Sequence, residues 1–304
     1  MAAVKQPKVA VIGLGAQGLV TVKNLLEEGF NVTGFDKNEY IGGIWHYSAE
    51  HRVSALPTTI VNVSRERACF TDFPYPDRTS SYPSSTEVEK YLNDYVDAFN
   101  LRSHFRLGTA VQSITRNESK NTWMVTVRAH DSSQTETLNF DKLVMTIGPH
   151  SKPIYPQITN QEAFEGEIFH SFTFKDPLLF AKKRLLVIGA SNTAADTCTS
   201  LIGIASKIYM SHRHGTIVVP RFMKDGTSLD HGASYRTFAL SHALDAYLPD
   251  QSQKFLDGFL ARIAIREFGA LDPDWTPSSA ARGTASTSAS WVLTTQQQHG
   301  RFRA

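Results

Sequence analysis

Residues 8–37, KVAVIGLGAQGLVTVKNLLEEGFNVTGFDK, read as strand, glycine turn, helix and second strand. KVAVIGL is a short run rich in β-branched residues, the composition of a strand buried on both faces. Gly13, Gly15 and Gly18 follow as GxGxxG, and Leu19, Val22, Leu25 and Leu26 keep helical spacing until Gly29. In this order each glycine has a task. Gly13 permits a tight turn, Gly15 lets backbone N–H groups approach a pyrophosphate, and Gly18 lets helix and strand pack closely. The helix N-terminus, with Gln17 in its first turn, then presents partial positive charge to phosphate. Asp36 closes the second strand, where an acid accepts hydrogen bonds from a ribose diol. An acid there disfavours a 2′-phosphate, so the unit suits FAD or NAD better than NADP.

The same logic returns at residues 183–213, KRLLVIGASNTAADTCTSLIGIASKIYMSHR. Gly189, Ser191 and Ala194 hold the three turn positions. Alanine is admissible at the third because that position only needs close packing. Ser191 crowds the second, but its hydroxyl is able to donate to a phosphate oxygen, as Asn192 and Thr193 open the helix. Where the first unit has Asp36, this one has Arg213 between His212 and His214. A guanidinium clamps a 2′-phosphate bidentately. The expectation is one cradle for FAD and one for NADPH.

Composition narrows the class. The 304 residues are 41% apolar and 20% charged, with a formal net charge of +2. There is no electrostatic case for nucleic acid or anionic lipid. Two cysteines far apart, Cys69 and Cys198, exclude a disulfide framework and a CxxC redox pair. No apolar run reaches the length of a membrane span, and Pro7 and Lys8 interrupt any secretory core. The chain reads as soluble and cytoplasmic. The paired histidines lack a nearby carboxylate or cysteine, so no metal is expected.

Between the cradles, NEYIGGIWHY sets Gly42 and Gly43 before Ile44 and Trp45, a loop suited to a flat cofactor. IVNVSRERACFTDFPYPD follows. An amphipathic helix then starts from the Ser/Thr cluster at 84–86, with Glu89 three residues beyond Thr86. FRLGTAVQSITR, NTWMVTVRAH and TETLNF alternate as antiparallel strands do. KLVMTIGPHSKPIYPQI reads as a buried strand, a glycine stop and a proline-marked linker.

GLGAQG with Asp36, GGIW, NVSRERACFTDFPYPD, TIGPHSKP, FEGEIFHSFTF and the second glycine turn together resemble the flavin-containing monooxygenase family, the class B flavoprotein monooxygenases. The most specific stretch is FEGEIFHSFTF, which looks like the family pattern FxGxxxHxxxF through Phe164, Gly166, His170 and Phe174. The resemblance implies an α/β chain of two Rossmann-like dinucleotide-binding domains. These are an FAD domain with an antiparallel β insertion over 1–155 and an NADP domain over 156–275. It implies an FAD- and NADPH-dependent monooxygenase, which inserts one atom of O2 into a small nitrogen or sulfur nucleophile by way of a flavin C4a-hydroperoxide. By position Asn62 is then the catalytic side chain, at the flavin–nicotinamide junction. The implied cofactor contacts are Gly13, Gly15, Gln17, Gly18, Asp36, Gly43, Ile44, Trp45 and Asn62, then Gly189, Ser191, Asn192, Thr193 and Arg213. Without the resemblance Asn62 reads as a turn residue, and Cys69 as a small buried apolar residue. Baeyer–Villiger relatives carry a similar motif ending in tryptophan, so Phe174 leans toward heteroatom oxygenation.

Residues 226–270 read as helical. From DPDWTP onward the text turns to Ser, Thr, Ala and Gln, with no acidic residue between 276 and 304, and is expected to be an irregular or disordered tail. The return strand and glycine turn that the resemblance implies for the flavin domain do not follow the second unit, so the chain is expected to be a shortened version of the family. Three alternatives stay open: an NADPH-dependent flavin reductase, a Baeyer–Villiger enzyme and a non-catalytic nucleotide-binding remnant. The sequence gives no substrate and no oligomeric state.

Overall fold

The computed structural model describes residues 6–50, 52–150, 152–212, 218–232, 234–255, 258, 262 and 292–294. The chain forms two compact units. One comprises Met1–Thr59, Cys69–Thr79 and Pro83–Thr173; the other comprises Ile60–Ala68, Ser80–Tyr82 and Phe174–Ala304.

The elements follow in chain order. β1 (Lys8–Ile12), α1 (Ala16–Glu27) and β2 (Asn31–Phe35) come first, then α2 (Arg65–Ala68) and α3 (Ser85–Ala98). Next are β3 (Phe105–Arg106), β4 (Thr109–Asn117), β5 (Thr122–Ala129), β6 (Glu136–Phe140) and β7 (Lys142–Met145). β8 (Arg184–Ile188), α4 (Asn192–Leu201), β9 (Lys207–Ser211), β10 (Val218–Pro220), α5 (Tyr235–Tyr247) and β11 (Val292–Thr294) complete the order.

In the first unit a parallel sheet runs β3-β2-β1-β7. Val9, Ala10 and Val11 are almost fully buried, as a central strand requires. β4, β5 and β6 form a separate antiparallel sheet. Its inward residues Val125 and Val127 alternate along β5 and share a core with Ala10, Phe35 and Phe140. Phe35 and Phe140 meet edge to face at 5.9 Å.

α3 buries Val88, Tyr91, Leu92, Tyr95 and Val96, one stripe of the helix. Its start differs from the expected Thr86–Glu89 pairing. The N-cap is Ser84, whose side chain accepts from the Glu87 N–H while the Glu87 carboxylate accepts from the Ser84 N–H. Glu89 is turned to His46 instead, 2.6 Å from its Nδ1. The strand in KLVMTIG is not buried. β7 is the sheet's edge, and Met145 is 57% exposed because no strand lies beyond it among the described residues.

In the second unit β8 and β9 pair in parallel, with α4 between them in sequence. The expected helical region at 226–270 begins otherwise. Phe222 and Ser228 form an antiparallel bridge, Leu229–Gly232 make a 3-10 turn, and only then does α5 start, capped by Ser234. Of the expected irregular tail at 276–304, residues 292–294 are described. They form β11, parallel to β10. No helix among the described residues is long and apolar enough to cross a membrane.

Candidate functional site

The first glycine turn is built by close backbone approach. Gly13 adopts φ +97°, and a Cβ there would lie 2.5 Å from the Thr146 carbonyl oxygen. Gly18 is tighter still, its hypothetical Cβ 1.9 Å from the Gly13 carbonyl oxygen. Thr146, to which the sequence assigned no role, fixes this turn. Its Oγ1 donates to the carbonyls of Gly13 (2.7 Å) and Ile12 (3.0 Å).

Gly15 is the N-cap of α1. It supplies no side-chain cap, and the first turn holds no acid. The leading N–H groups of α1 are therefore left for an outside acceptor. Gln17 is exposed on that turn. Asp36 is 8% exposed, and its carboxylate accepts from the N–H of Leu14 (2.8 Å) and of Asn38 (2.9 Å). Each oxygen retains a lone pair for a hydroxyl donor.

The GGIW loop belongs to the same turn. The Gly42 N–H donates to the Leu14 carbonyl at 2.9 Å. Gly43 stands against Gly15, where a Cβ would come within 3.1 Å of the Gly15 Cα. Gly43–Trp45 then form a 3-10 turn, with Ile44 40% exposed and Trp45 half-buried. Gly13, Gly15, Gly18, Asp36 and Gly43 are thus brought together in the first unit. A surface depression of about 470 Å³, lined by Lys37, Gly108, Arg128 and His130 among others, adjoins the residue after Asp36.

The second glycine turn lies in the second unit. Gly189 has φ +126°, and Ser191 caps α4 with extended backbone but no side-chain hydrogen bond to the helix. Ser191, Asn192 and Thr193 are all exposed, and the first turn of α4 has no acid. Ala194, at the third turn position, is buried. Arg213 and His214 lie outside the described residues.

Asn62 also belongs to the second unit, in a network that the sequence did not disclose. Its Oδ1 accepts from Nη2 of Arg221 at 3.2 Å, and the same Nη2 donates to the Ile60 carbonyl at 3.1 Å. Arg221 is only 5% exposed. Burial pulls its pKa down, and the Asp196 carboxylate of α4 opposes that shift. The Arg221 carbonyl accepts from the Tyr82 hydroxyl and from the Leu229 N–H. Burial, then the charge of Asp230, pushes the Tyr82 phenol above its ordinary range.

Asp230 accepts from the Ser64 N–H at 2.8 Å. Its other oxygen, the Ser64 hydroxyl and Nε of Arg221 are buried without a partner among the described residues. Glu66 sits beside His231. Burial raises the Glu66 pKa, but Arg65, its own backbone N–H and His231 together hold it below the usual range. The only local signal for Arg221 was a lone arginine after Val-Val-Pro. Cys69 and Cys198 are partly exposed, so Cys69 is not a fully buried side chain. In the FxGxxxHxxxF stretch, Nδ1 of His170 accepts from the Phe172 N–H at 3.0 Å, and buried Phe174 stacks on Phe180 at 5.4 Å.

Two glycine turns, each opening a bare helix N-terminus, define a protein built for dinucleotides. The chain belongs to the flavin-binding monooxygenase-like family, which it matches over residues 6–256. It is 38% identical to Monooxygenase aurF of Gibberella zeae over 269 residues, covering 88% of this chain and 51% of that protein. It is 33% identical to Dimethylaniline monooxygenase (N-oxide-forming) 2 of Rattus norvegicus, covering 73% and 43%.

Among solved structures it resembles S-allyl-L-cysteine S-oxygenase from Allium sativum. The TM-score is 0.64 at 25% identity, covering 69% of this chain and 52% of that one. Cyclohexanone monooxygenase from Rhodococcus sp. Phi1 bound to NADP+ aligns with a TM-score of 0.57 at 27% identity, covering 73% and 42%. The chain spans about half the length of the curated relatives it matches.

Proposed function

We propose that this chain carries the FAD- and NADPH-binding portion of a flavin-dependent monooxygenase whose substrate is a small nitrogen or sulfur nucleophile. One contrast carries the reading. α3 and α5 are each capped by a serine side chain, whereas α1 and α4, the two helices that follow glycine turns, have neither a side-chain cap nor a first-turn acid. Helices left bare in this way favour bound pyrophosphate. The family membership agrees with it.

Bound FAD, reduced by NADPH, supplies the activation of dioxygen and the transfer of one oxygen atom, while the protein binds, orients and excludes water. The first turn of α1 holds the FAD pyrophosphate, and the free lone pairs of Asp36 take the ribose hydroxyls. Gly43, Ile44 and Trp45 line the flavin. Gly189, Ser191, Asn192 and Thr193 hold the NADPH pyrophosphate, with the Ser191 hydroxyl as a donor freed from capping. Arg213 takes the 2′-phosphate. Asn62 donates a hydrogen bond at the flavin–nicotinamide junction.

The N-oxide-forming and S-oxygenase relatives support a heteroatom substrate. The likeness to cyclohexanone monooxygenase favours a second reading, oxygen insertion beside a ketone carbonyl. Phe174, which ends the FxGxxxHxxxF stretch, leans against it through the family resemblance. The test is the visible spectrum of the purified chain, followed by NADPH and O2 consumption with a tertiary amine, a thioether and a cyclic ketone. Flavin colour with amine- or thioether-dependent turnover is the expected result. Turnover on the ketone alone selects the second reading, NADPH oxidation without oxygenated product indicates a flavin reductase, and a colourless chain without turnover refutes all three.

A further inference from the structure

We infer that Arg221 is a positioning residue that fixes the carboxamide of Asn62 in one orientation, with its NH2 outward, so that Asn62 meets its ligand as a hydrogen-bond donor and never as an acceptor. This rests on the reading of Asn62 given above and adds how its polarity is set.

The argument begins with donor chemistry. A guanidinium has five N–H donors and no acceptor. Nη2 of Arg221 spends its hydrogens on the Ile60 carbonyl and on Oδ1 of Asn62. Rotating the Asn62 amide by half a turn would set an NH2 against that guanidinium, donor facing donor, in a place where Arg221 is 5% exposed. Water cannot repair such a contact, so the turned state is strongly disfavoured.

Arg221 is itself held at both ends. The Tyr82 hydroxyl and the Leu229 N–H grip its carbonyl oxygen, and its guanidinium lies over the Tyr82 ring at 5.9 Å. Asp196 of α4, the helix of the second glycine turn, is the carboxylate whose charge favours the guanidinium. Asn62 is only half-buried, and its amide NH2 has no partner among the described residues. The free side of Asn62 therefore offers two N–H donors to an acceptor oxygen or nitrogen of a bound ligand.

The test uses four single variants, Arg221→Met, Arg221→Lys, Asn62→Ala and Asn62→Asp, with the Arg221→Met/Asn62→Ala double variant. The first readout needs no cofactor. In a denaturant double-mutant cycle on the cofactor-free chain, the two side chains should be coupled by about fivefold or more in the folding equilibrium. Additive losses overturn the contact. Asn62→Asp should fold at least as well as wild type, because a carboxylate pairs with Arg221 more strongly than an amide.

The second readout is hydrogen peroxide released per NADPH consumed. Asn62→Ala, Asn62→Asp and Arg221→Met should each raise it several-fold. Arg221→Lys should restore part of the wild-type ratio, since an ammonium keeps the charge without the fork. An unchanged ratio in Arg221→Met beside a raised one in Asn62→Ala overturns the positioning role. An unchanged ratio in Asn62→Ala itself overturns the catalytic reading of Asn62, and the cofactor-free cycle then still decides whether Arg221 holds it.

Discussion

Gly18 packs so tightly on Gly13 that a Cβ on Gly18 would stand 1.9 Å from the Gly13 carbonyl oxygen. No rotamer relieves that overlap, because the place of a Cβ is set by its own backbone and the oxygen it meets is a backbone atom. Gly18→Ala must push α1 away from β1, at a cost of about 1–3 kcal/mol for overpacking, and it should empty the chain of flavin. Gly29→Ala is the control. Gly29 has φ +80° but nothing within 4 Å, so it should cost about 1 kcal/mol of backbone strain and keep the flavin. Thermal midpoints and flavin content of the two variants check this.

Tyr95 lies at the centre of the ring cluster formed by Phe70, Phe73 and Phe99, fully buried, with a hydroxyl that has no partner among the described residues. An unsatisfied buried hydroxyl costs about 1–3 kcal/mol. Tyr95→Phe keeps the rings and removes the cost, so it should stabilise the fold by about 1 kcal/mol. Denaturant melts of the two proteins should show a higher midpoint at unchanged slope; a lower midpoint would mean that the hydroxyl is satisfied.

Four tyrosines should make the fold sensitive to alkali. Burial pushes Tyr95 up to about 12, with Asp72 adding to it, and raises Tyr75, Tyr82 and Tyr91 as well. Above the ordinary phenol pKa of about 10, the unfolded chain sheds these protons while the folded chain retains them. The folded state then binds more protons, so stability falls as pH rises. The contribution is intact below about pH 10 and is lost toward the raised values. Tyrosinate absorbance should appear together with loss of secondary structure, not ahead of it.

Arg213→Gln should lower the preference for NADPH over NADH by about tenfold or more, since a charge-assisted bidentate contact contributes about 1.5–3 kcal/mol. The ratio of kcat/KM for the two coenzymes measures this, and an unchanged ratio removes Arg213 from the coenzyme site.

The glycine turns were legible because their constraints are local. Gly13, Gly15 and Gly18 act within a single turn, and the alternation of Val125 and Val127 lies within one strand. The α3 start was legible only to within two residues, since Ser84, Ser85 and Thr86 all suit a cap and only the fold selects Ser84. The exposure of β7 was not legible, because an apolar strand reads alike at the centre of a sheet and at its edge. The Asn62 network was not legible either. Its partners stand 159 residues apart for Arg221 and 166 between Ser64 and Asp230, and no local periodicity links them.

The second unit takes Ile60–Ala68 and Ser80–Tyr82 from between segments of the first. Neither unit is therefore one continuous stretch of chain, and a cut after Thr173 would strip Asn62 and Ser64 of the side chains that hold them. During synthesis at about 5–20 residues per second, roughly 8–30 s separate the emergence of Asn62 from that of Arg221. For that interval the nascent loop carrying Asn62 has no guanidinium to order it, and the ribosome, through the sequence of translation, sets the earliest moment at which this corner can become native.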